Sequence, residues 1–545
     1  MTTFTGGQAI VNAWITHGVD TIFGLPGVQN DWLYNALYDA GDKLRVIHTR
    51  HEQGAGYMAL GYAMSTGRPG VYAVVPGVGM LNAASALATG YSVNAPLFCF
   101  TGQIPSNMIG RGLGQLHEIP DQLGILERLT RWTGHVDTPA EAPSLVAQAF
   151  LRMQTGEHPG PVAIECPLDV LSATAEIEDF PVLTATHPAV DEDKIEEAAK
   201  LLGAAKNPMI FVGTGAIGAA EAVKELAQAL QAPVVSNRSG HGILSSRDPL
   251  AMRTPAAHQL WPQVDVVLAI GTRMNRVLSG WGTDQNLKII RIDTDPNEHS
   301  KVVPEDVAIV ARSEDALPKL VQAVGKYNSV RASRVEEYDD LRAEAAERMA
   351  YLEPQLSYIS AIRDVLPDDG YYVRDVTQLG YVSEFAFPVY KPYTYISPGF
   401  QGTLGWGFAT ALGVKAAHPD KAVVSVCGDG GFMFTVQELA TAVQHKINLV
   451  TLVFTDGAYG NVLRMQKEQY GGRVIATALH NPDFARMAET FGALGLRAET
   501  PAQVRGAIEQ GLVADAPTII EVPIGEVPSP WPVAFLGRNR PAVKE

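Results

Sequence analysis

Short apolar runs alternate with longer amphipathic stretches along the whole chain. Early examples are TIFGLPG and GVYAVVPGVG, and later ones are VDVVLAIGTR and LVTLVFTDG. Each run has about four to six β-favouring residues, ends in Gly, Asp or Thr, and is usually followed by a helical pattern. Nearly continuous apolar strands separated by helices indicate parallel sheets that helices cover on both faces. The sequence therefore predicts an α/β protein whose ligands bind at the carboxyl ends of the strands.

Changes in this pattern divide the chain into three blocks. The first, residues 1–180, closes with the strand-like run PVAIECPLDVL. A stretch rich in Pro, Thr and acidic residues then predicts a linker before the second block, residues 190–330. The segment SRVEEYDDLRAEAAERMAYLE has i,i+4 charge pairs and predicts an exposed helix that leads to the third block, residues 355–545. We expect three domains, each with a mostly parallel, helix-covered sheet.

Charge and composition narrow the class of protein. Lys and Arg number 42 against 58 Asp and Glu among the 545 residues, so the formal net charge is −16. An acidic surface of this kind argues against a nucleic-acid partner. Hydrophobic residues make up 46% of the chain, which suits several buried cores. No apolar run reaches the roughly 18 residues of a membrane-spanning helix, so we expect no membrane partner.

The cysteines and the N-terminus point to the cytoplasm. Cys99, Cys166 and Cys427 stand far apart, which argues against a disulfide framework, a zinc knuckle and a redox motif. The N-terminal sequence MTTFTGGQAIVNAWITHG lacks a basic segment followed by an apolar one, so we expect no signal peptide. These features favour a cytoplasmic enzyme.

One predicted βαβ unit carries the clearest chemical motif. The strand VVSVC runs into Gly428-Asp429-Gly430-Gly431, a helix is predicted over FTVQELATAVQH, and the next strand ends at Asp456. A βαβ unit places both carboxylates at neighbouring strand ends. The glycines and the helix N-terminus suit a diphosphate, and the two acids suit Mg²⁺ or Ca²⁺. A plain strand-to-helix turn is the alternative, but the second acidic strand end favours a diphosphate–metal site.

This motif resembles the signature of thiamine diphosphate-dependent enzymes of the acetolactate synthase and 2-oxo acid decarboxylase type. In that family GDG is followed by Asn at the next strand end, whereas this chain has Asp456 there. The resemblance implies a bound Mg²⁺ held by the side chains of Asp429 and Asp456, the backbone carbonyl of Ala458, diphosphate oxygens and water. It also implies that the three blocks are a pyrimidine-binding, a middle and a diphosphate- and metal-binding domain.

A segment of the first block, HTRHEQGAGYMALGYAMSTG, resembles the family's glutamate segment, with Glu52 at the key position. The resemblance implies that the Glu52 carboxyl exchanges a proton with N1′ of the cofactor's aminopyrimidine. An ordinary carboxylate at a helix start is the alternative interpretation. In this family the glutamate and the diphosphate site belong to different subunits. The resemblance therefore implies a homodimer or homotetramer with the site at the subunit interface.

Further segments resemble other parts of the family's cofactor site. In SPGFQGTLGWGF, the resemblance implies that Leu404 holds the cofactor in its bent form and that the Gly402 carbonyl contacts the aminopyrimidine. The alternative for Leu404 is an ordinary residue of the hydrophobic core. The resemblance also places a scattered group of residues at the cofactor or the reaction centre: Pro26, Gln29, Asn82, Thr377, Gln378, Gly428, Gly430, Gly431 and Gly460.

Two more segments bear on substrate and cofactor choice. The loop GQIPSNMIGRGLGQLHEIPDQLG resembles a substrate-facing loop of acetolactate synthases, with Gln115 as its glutamine. His117 is a second candidate catalytic group, and a solvated loop histidine is its alternative. Gly271 and Arg273 match a segment of the synthases that bind FAD, but Met274 departs from it, so FAD binding stays open.

The resemblance implies a thiamine diphosphate- and Mg²⁺-dependent enzyme similar to acetolactate synthase. Its expected reaction is decarboxylation of a 2-oxo acid such as pyruvate, followed by ligation of the acyl unit to a second carbonyl. The alternative within the class is a lyase or hydrolase that acts on 2-hydroxy ketones, cyclic diones or 2-hydroxyacyl-CoA without decarboxylation. A non-catalytic, metabolite-binding regulator is the alternative from another class, and Glu52 argues against it.

Overall fold

The computed structural model describes residues 2–154, 159–178 and 180–540. Within these ranges three six-stranded parallel sheets are flanked by helices, so the predicted α/β architecture of three sheet domains is confirmed. The fully buried strands carry nearly continuous apolar runs, because both faces of a helix-covered parallel sheet lie in a core. The exact domain boundaries stay a prediction.

The first domain contains a parallel sheet of strand order β3-β2-β4-β5-β7-β6 and an antiparallel β1–β8 pair. Its strands are β1 Thr2–Thr5, β2 Thr21–Gly24, β3 Arg45–His48, β4 Gly70–Val74, β5 Leu97–Gln103, β6 Trp132–His135, β7 Val162–Pro167 and β8 Thr174–Ile177. Its helices are α1 Gly6–Thr16, α2 Asp31–Ala40, α3 Glu52–Thr66, α4 Val78–Val93, α5 Gln122–Leu129, α6 Ala142–Gln154 and α7 Leu168–Ser172.

The middle domain has the strand order β11-β10-β9-β12-β13-β14, which is the order of a dinucleotide-binding sheet. Its strands are β9 Pro208–Val212, β10 Val234–Ser236, β11 Ala251–Met252, β12 Val266–Ile270, β13 Lys288–Asp293 and β14 Val307–Val310. Its helices are α8 Glu192–Ala204, α9 Ala220–Leu230, α10 Thr254–Leu260 and α11 Ser313–Val324, and α12 Val335–Met349 is the connecting helix.

The third domain has the strand order β16-β15-β17-β18-β20-β19, which repeats the topology of the first. Its strands are β15 Tyr371–Arg374, β16 Tyr395–Ile396, β17 Val423–Gly428, β18 Val450–Thr455, β19 Leu494–Arg497 and β20 Thr518–Pro523. Its helices are α13 Gln355–Val365, α14 Gln378–Ala386, α15 Trp406–Ala417, α16 Asp429–Phe432, α17 Glu438–Gln444, α18 Gly460–Gln469, α19 Phe484–Phe491, α20 Pro501–Val513 and α21 Trp531–Ala534.

One local prediction was wrong. The single helix expected over FTVQELATAVQH is divided: α16 begins at Asp429 itself, and α17 begins only at Glu438. Thr435 lies in the break, where its hydroxyl donates to the Gly405 carbonyl at 3.2 Å. Within the break, the backbone N–H of Thr435 donates to the Phe432 carbonyl at 3.2 Å, and that of Glu438 donates to the Thr435 carbonyl at 3.0 Å. The middle domain also contains three short strands, β10, β11 and β14, of two to four residues each.

Helices α3 and α15 join the first and third domains in one core. Their backbones approach closely at Gly61 and Gly413: a Cβ atom on Gly413 would lie 1.9 Å from the carbonyl oxygen of Met58. The Tyr57 hydroxyl donates to the Thr403 hydroxyl at 2.8 Å across the same junction. The helix that begins with Glu52 is therefore fixed against the third domain of its own chain.

Candidate functional site

Two acidic side chains meet at the carboxyl ends of β17 and β18. Asp429 follows β17 directly, and its Oδ2 accepts a hydrogen bond from the backbone N–H of Gly457 at 2.9 Å. Gly457 follows Asp456, which itself comes directly after β18. The second oxygen of Asp429 accepts from Gly430 at 2.8 Å, and Oδ1 of Asp456 accepts from Ala458 at 3.1 Å. The parallel pairing of the two strands thus brings the predicted acids together.

Asn481 is a third member of this group, and it was not predicted from the sequence. Its side-chain Nδ2 donates to Oδ2 of Asp429 at 2.7 Å. It lies between α18 and α19, outside any motif, and no local pattern pointed to it. The bond fixes the orientation of the Asp429 carboxylate. Its other oxygen, Oδ1, accepts the backbone N–H of Gly430 at the start of α16.

Two carboxyl groups at this edge of the sheet have raised pKa values. Burial, and next the negative charge of Asp429, raise the pKa of Asp456 to about 6. Asp375, at the end of the neighbouring strand β15, is fully buried, and burial raises the pKa of its carboxyl to about 6 as well. Acids held this way favour a proton or a nearby cation. The hard oxygen donors fit a divalent cation such as Mg²⁺.

These strand ends surround a cavity of about 300 Å³. The lining suits an anionic ligand, because five glycines let the ligand approach the backbone closely. The lining includes every third-domain residue that the sequence placed at the cofactor or metal: Thr377, Gln378, Gly402, Leu404, Gly428, Asp429, Gly430, Gly431, Asp456, Ala458 and Gly460.

A second cluster lies at the carboxyl ends of the first domain's strands. Glu52 is the first residue of α3 and is only 8% exposed. Its Oε2 accepts a hydrogen bond from Nδ2 of Asn82 at 3.1 Å. Val75 connects this pair to the turn that contains Pro26, because its methyl groups lie against both Gly27 and Gly79. Pro26 itself is exposed.

The candidate catalytic residues of the loop divide into two groups. His117 contacts Gln29 directly, with 3.0 Å between Nδ1 and Oε1, and Nε2 of Gln29 donates to the Leu116 carbonyl at 2.9 Å. Gln115 is half-buried, and its backbone N–H donates to Glu118 at 2.8 Å. The structure thus joins His117 and Gln29 at one place, and it records no side-chain hydrogen bond for Gln115 among the described residues.

The two clusters do not share a cavity in one chain. Every residue that lines the cavity around Asp429 belongs to the third domain, as far as the described ranges extend. Exposed apolar side chains adjoin each cluster, with Val28 and Val78 on the first domain and Phe434 and Val462 on the third. Each cluster is therefore open on one side.

A crevice at the ends of β9 and β12 is lined by Gly213, Gly271 and Arg273 of the middle domain, and also by Ser92 of the first domain and Phe400 of the third. Arg273 already has two partners: it donates to the Ser92 carbonyl at 2.9 Å and pairs with Glu298 at 3.3 Å. These contacts explain the arginine without FAD. The FAD prediction stays untested.

Sequence models of three domains match the chain in the order of its three sheets. The model described as thiamine pyrophosphate enzyme, N-terminal TPP binding domain, matches residues 4–125. The central domain matches residues 195–320, and the C-terminal TPP binding domain matches residues 375–522. The chain belongs to the thiamine pyrophosphate enzyme family. The resemblance stated from the motifs is confirmed, and the cavity around Asp429 lies in the domain that the family describes as binding this cofactor.

Relatives of this thiamine pyrophosphate enzyme align over nearly its whole length. A probable 2-ketoarginine decarboxylase of Pseudomonas aeruginosa is 32% identical over 95% of this chain and 94% of that protein. The acetolactate synthase large subunit of Haemophilus influenzae is 31% identical, covering 98% and 97%. The large subunit of acetolactate synthase isozyme 1 of Escherichia coli is 30% identical, covering 97% and 96%. The first relative is named for the decarboxylation of 2-ketoarginine, and the other two are named for the synthesis of acetolactate.

No helix within the described ranges is both long enough and apolar enough to cross a membrane.

Replacing Asp456 with Asn tests the electrostatics of this site without any ligand. The folded pKa of about 6 lies above the ordinary value of 3.8, so the folded state binds more protons than the unfolded state between these values. Stability is therefore lost as the pH rises from about 4 to about 6. At pH 8, Asp456→Asn should raise the free energy of unfolding of the cofactor-free protein by about 1 kcal/mol, after a discount for partial exposure.

The measurement is urea unfolding at pH 8 and pH 5, with the exposed Asp420→Asn as control. The gain should be smaller at pH 5, where the folded carboxyl is mostly protonated. An equal gain at both pH values would show that removal of the buried negative charge of Asp456 is not its cause.

Proposed function

We propose that the chain is a thiamine diphosphate- and Mg²⁺-dependent enzyme that decarboxylates a 2-oxo acid, such as pyruvate, and ligates the acyl unit to a second carbonyl. The observation that carries the proposal is the pair Asp429 and Asp456 beside a glycine-lined cavity in a family defined by this cofactor. The decarboxylase and synthase relatives support a 2-oxo acid as donor.

In this proposal the third domain holds the diphosphate and the metal. Asp429, Asp456 and the Ala458 carbonyl would bind Mg²⁺, and the N–H groups after Gly428 would face the diphosphate. Gly402 and Leu404, which also line the cavity, would support the bent cofactor. When bound, thiamine diphosphate would supply a nucleophilic carbon for the substrate carbonyl and an acceptor for the electron pair that the loss of CO₂ releases.

The first domain supplies the groups that move protons. Glu52 is held nearly out of solvent and is oriented by Asn82, as a carboxyl must be to hold or give a proton at N1′ of the cofactor. The contact between His117 and Gln29 supplies a polar pair for the substrate's oxygen atoms. Gln115 is proposed as a further substrate contact from the same loop.

We propose that each complete site is formed by two chains. The cavity around Asp429 lacks a lining residue from the first domain among those described, and exposed apolar side chains adjoin both halves. Docking of Glu52 from one chain onto the cavity of its partner would complete the site and cover these side chains. A homodimer is the smallest assembly that satisfies this arrangement, and a homotetramer would contain two such pairs.

Product analysis tests the proposed reaction. Purified protein is incubated with thiamine diphosphate, Mg²⁺ and pyruvate, with and without an added aldehyde, and the products are identified by proton NMR. Acetolactate, acetoin or a mixed 2-hydroxy ketone is expected. Intact pyruvate, in protein shown to retain the cofactor, would overturn pyruvate as the donor. Parallel incubations with 2-ketoarginine and with a 2-hydroxy ketone would then separate another decarboxylation from cleavage without decarboxylation.

A further inference from the structure

A buried carboxylate of the third domain reaches across the domain junction to the start of the glutamate helix. Glu438, the first residue of α17, is 0% exposed. Its Oε1 accepts the backbone N–H of His51 at 3.0 Å, and its Oε2 accepts that of Arg50 at 3.1 Å. The Thr441 hydroxyl donates to the same Oε2 at 2.6 Å. Three donors thus satisfy one fully buried acid.

These two backbone N–H groups immediately precede Glu52. His51 is the N-cap of α3, and its ring Nδ1 accepts the backbone N–H of Gln53 at 3.1 Å. A residue with a Cβ is excluded at Gly54, because that atom would lie 2.4 Å from Oε1 of Glu438. Glu438 therefore packs directly against the first turn of α3 and fixes its backbone on both sides of the N-cap.

We propose that Glu438 is a positioning residue for Glu52. By holding the N–H groups of Arg50 and His51, it sets the position from which the Glu52 carboxyl reaches the aminopyrimidine of the cofactor. This inference rests on the proposed function, in which Glu52 exchanges that proton. Glu438 does not itself touch the cofactor, and its effect passes through the backbone of α3.

The chain offers a matched control for the contact. Glu521 of β20 is also buried, and its Oε2 accepts the backbone N–H groups of Phe484 at 3.0 Å and Ala485 at 3.5 Å, at the start of α19. Like Glu438, Glu521 accepts backbone N–H groups at the start of a helix, but this helix is α19 and not the helix that begins with Glu52. Glu521→Gln therefore reports the general cost of removing a buried charge from a helix N-terminus.

The test compares Glu438→Gln with Glu521→Gln in the full-length protein. Amide hydrogen exchange in residues 50–56 of the cofactor-free protein should accelerate about tenfold in Glu438→Gln and stay unchanged in Glu521→Gln, because one of the two N–H groups loses its acceptor. With thiamine diphosphate and Mg²⁺ bound, exchange of the cofactor C2 proton into D₂O should fall by about ten- to a hundredfold in Glu438→Gln. The dissociation constant of the cofactor should change by no more than about threefold.

A double variant separates positioning from a general structural effect. In the Glu52→Gln background, Glu438→Gln should cause no further loss of C2 exchange, because both changes act through one group. If Glu438→Gln folds poorly, Thr441→Val replaces it, because this variant removes one donor to Glu438. It should cause a smaller loss of C2 exchange, and again no further loss in the Glu52→Gln background.

Equal losses in the wild-type and Glu52→Gln backgrounds, or unchanged amide exchange in residues 50–56, would overturn the positioning role alone. Unchanged C2 exchange in Glu52→Gln itself would instead overturn the proposed function on which the inference rests.

Discussion

Glu52→Gln is expected to lower turnover by about two to four orders of magnitude while the protein still binds thiamine diphosphate and Mg²⁺. Glutamine keeps the size of the side chain and can still contact Asn82, but it cannot accept or give a proton at N1′ of the cofactor. Losses of this size are typical when a general acid–base group is removed. Because the diphosphate and the metal would be held by third-domain residues, and glutamine can still form a hydrogen bond to the aminopyrimidine, cofactor affinity should change little.

The measurement is steady-state turnover together with the dissociation constant of the cofactor. Glu127→Gln, the same substitution at an exposed position of α5, is the matched control and should behave as wild type. Near-full turnover in Glu52→Gln would remove Glu52 from the proton transfer and would favour its alternative as an ordinary helix-start carboxylate.

Asp429→Ala is expected to weaken binding of thiamine diphosphate by more than about a hundredfold at fixed Mg²⁺. Asp429 is the more central of the two acids, because it also accepts hydrogen bonds from Gly457 and Asn481. Its removal leaves the metal with one carboxylate and frees both donors. Loss of one charged ligand in a partly buried cation site typically costs several kcal/mol.

Titration calorimetry of the cofactor in Mg²⁺-containing buffer measures this effect, and the exposed Asp420→Ala is its control. Unchanged affinity in Asp429→Ala would exclude Asp429 as a metal ligand. Asp456→Asn should bind the cofactor with little loss, since an amide oxygen can also serve Mg²⁺. Asp429→Ala removes both an oxygen ligand and its charge, whereas Asp456→Asn removes a charge and keeps an oxygen ligand. We therefore expect a large loss of cofactor affinity only in the first variant.

The paired acids could be predicted from the sequence because their position follows from topology. Two parallel strands joined by one helical crossover end at the same edge of a sheet, so Asp429 and Asp456 had to lie close together. The apolar runs that defined the strands are long and fully buried in the third domain. The resemblance then supplied Thr377, Gln378, Gly402 and Leu404, which line the same cavity.

Other contacts could not be predicted, because they depend on tertiary packing. Asn481 lies in a connecting segment far from Asp429 in sequence, and nothing in its surroundings marks it. Glu438 has the pattern of an ordinary helical glutamate, and only the docking of α3 against α17 brings it to Arg50 and His51. In the break before α17, the Thr435 hydroxyl bonds to the carbonyl of Gly405, which is distant in the sequence. The local sequence pattern around a residue does not indicate which distant residue it will contact.

The most direct test of a site shared between two chains is complementation of two inactive variants. Glu52→Gln and Asp429→Ala chains are coexpressed with different tags, hybrid assemblies are purified through both tags, and C2 exchange of bound thiamine diphosphate is measured without any substrate. A hybrid dimer then has one intact site, formed by Glu52 of one chain and Asp429 of the partner subunit, and one site with both defects. The account predicts about half of the wild-type exchange per dimer. No recovery above either parent variant would contradict it, because a site within one chain stays damaged in every subunit.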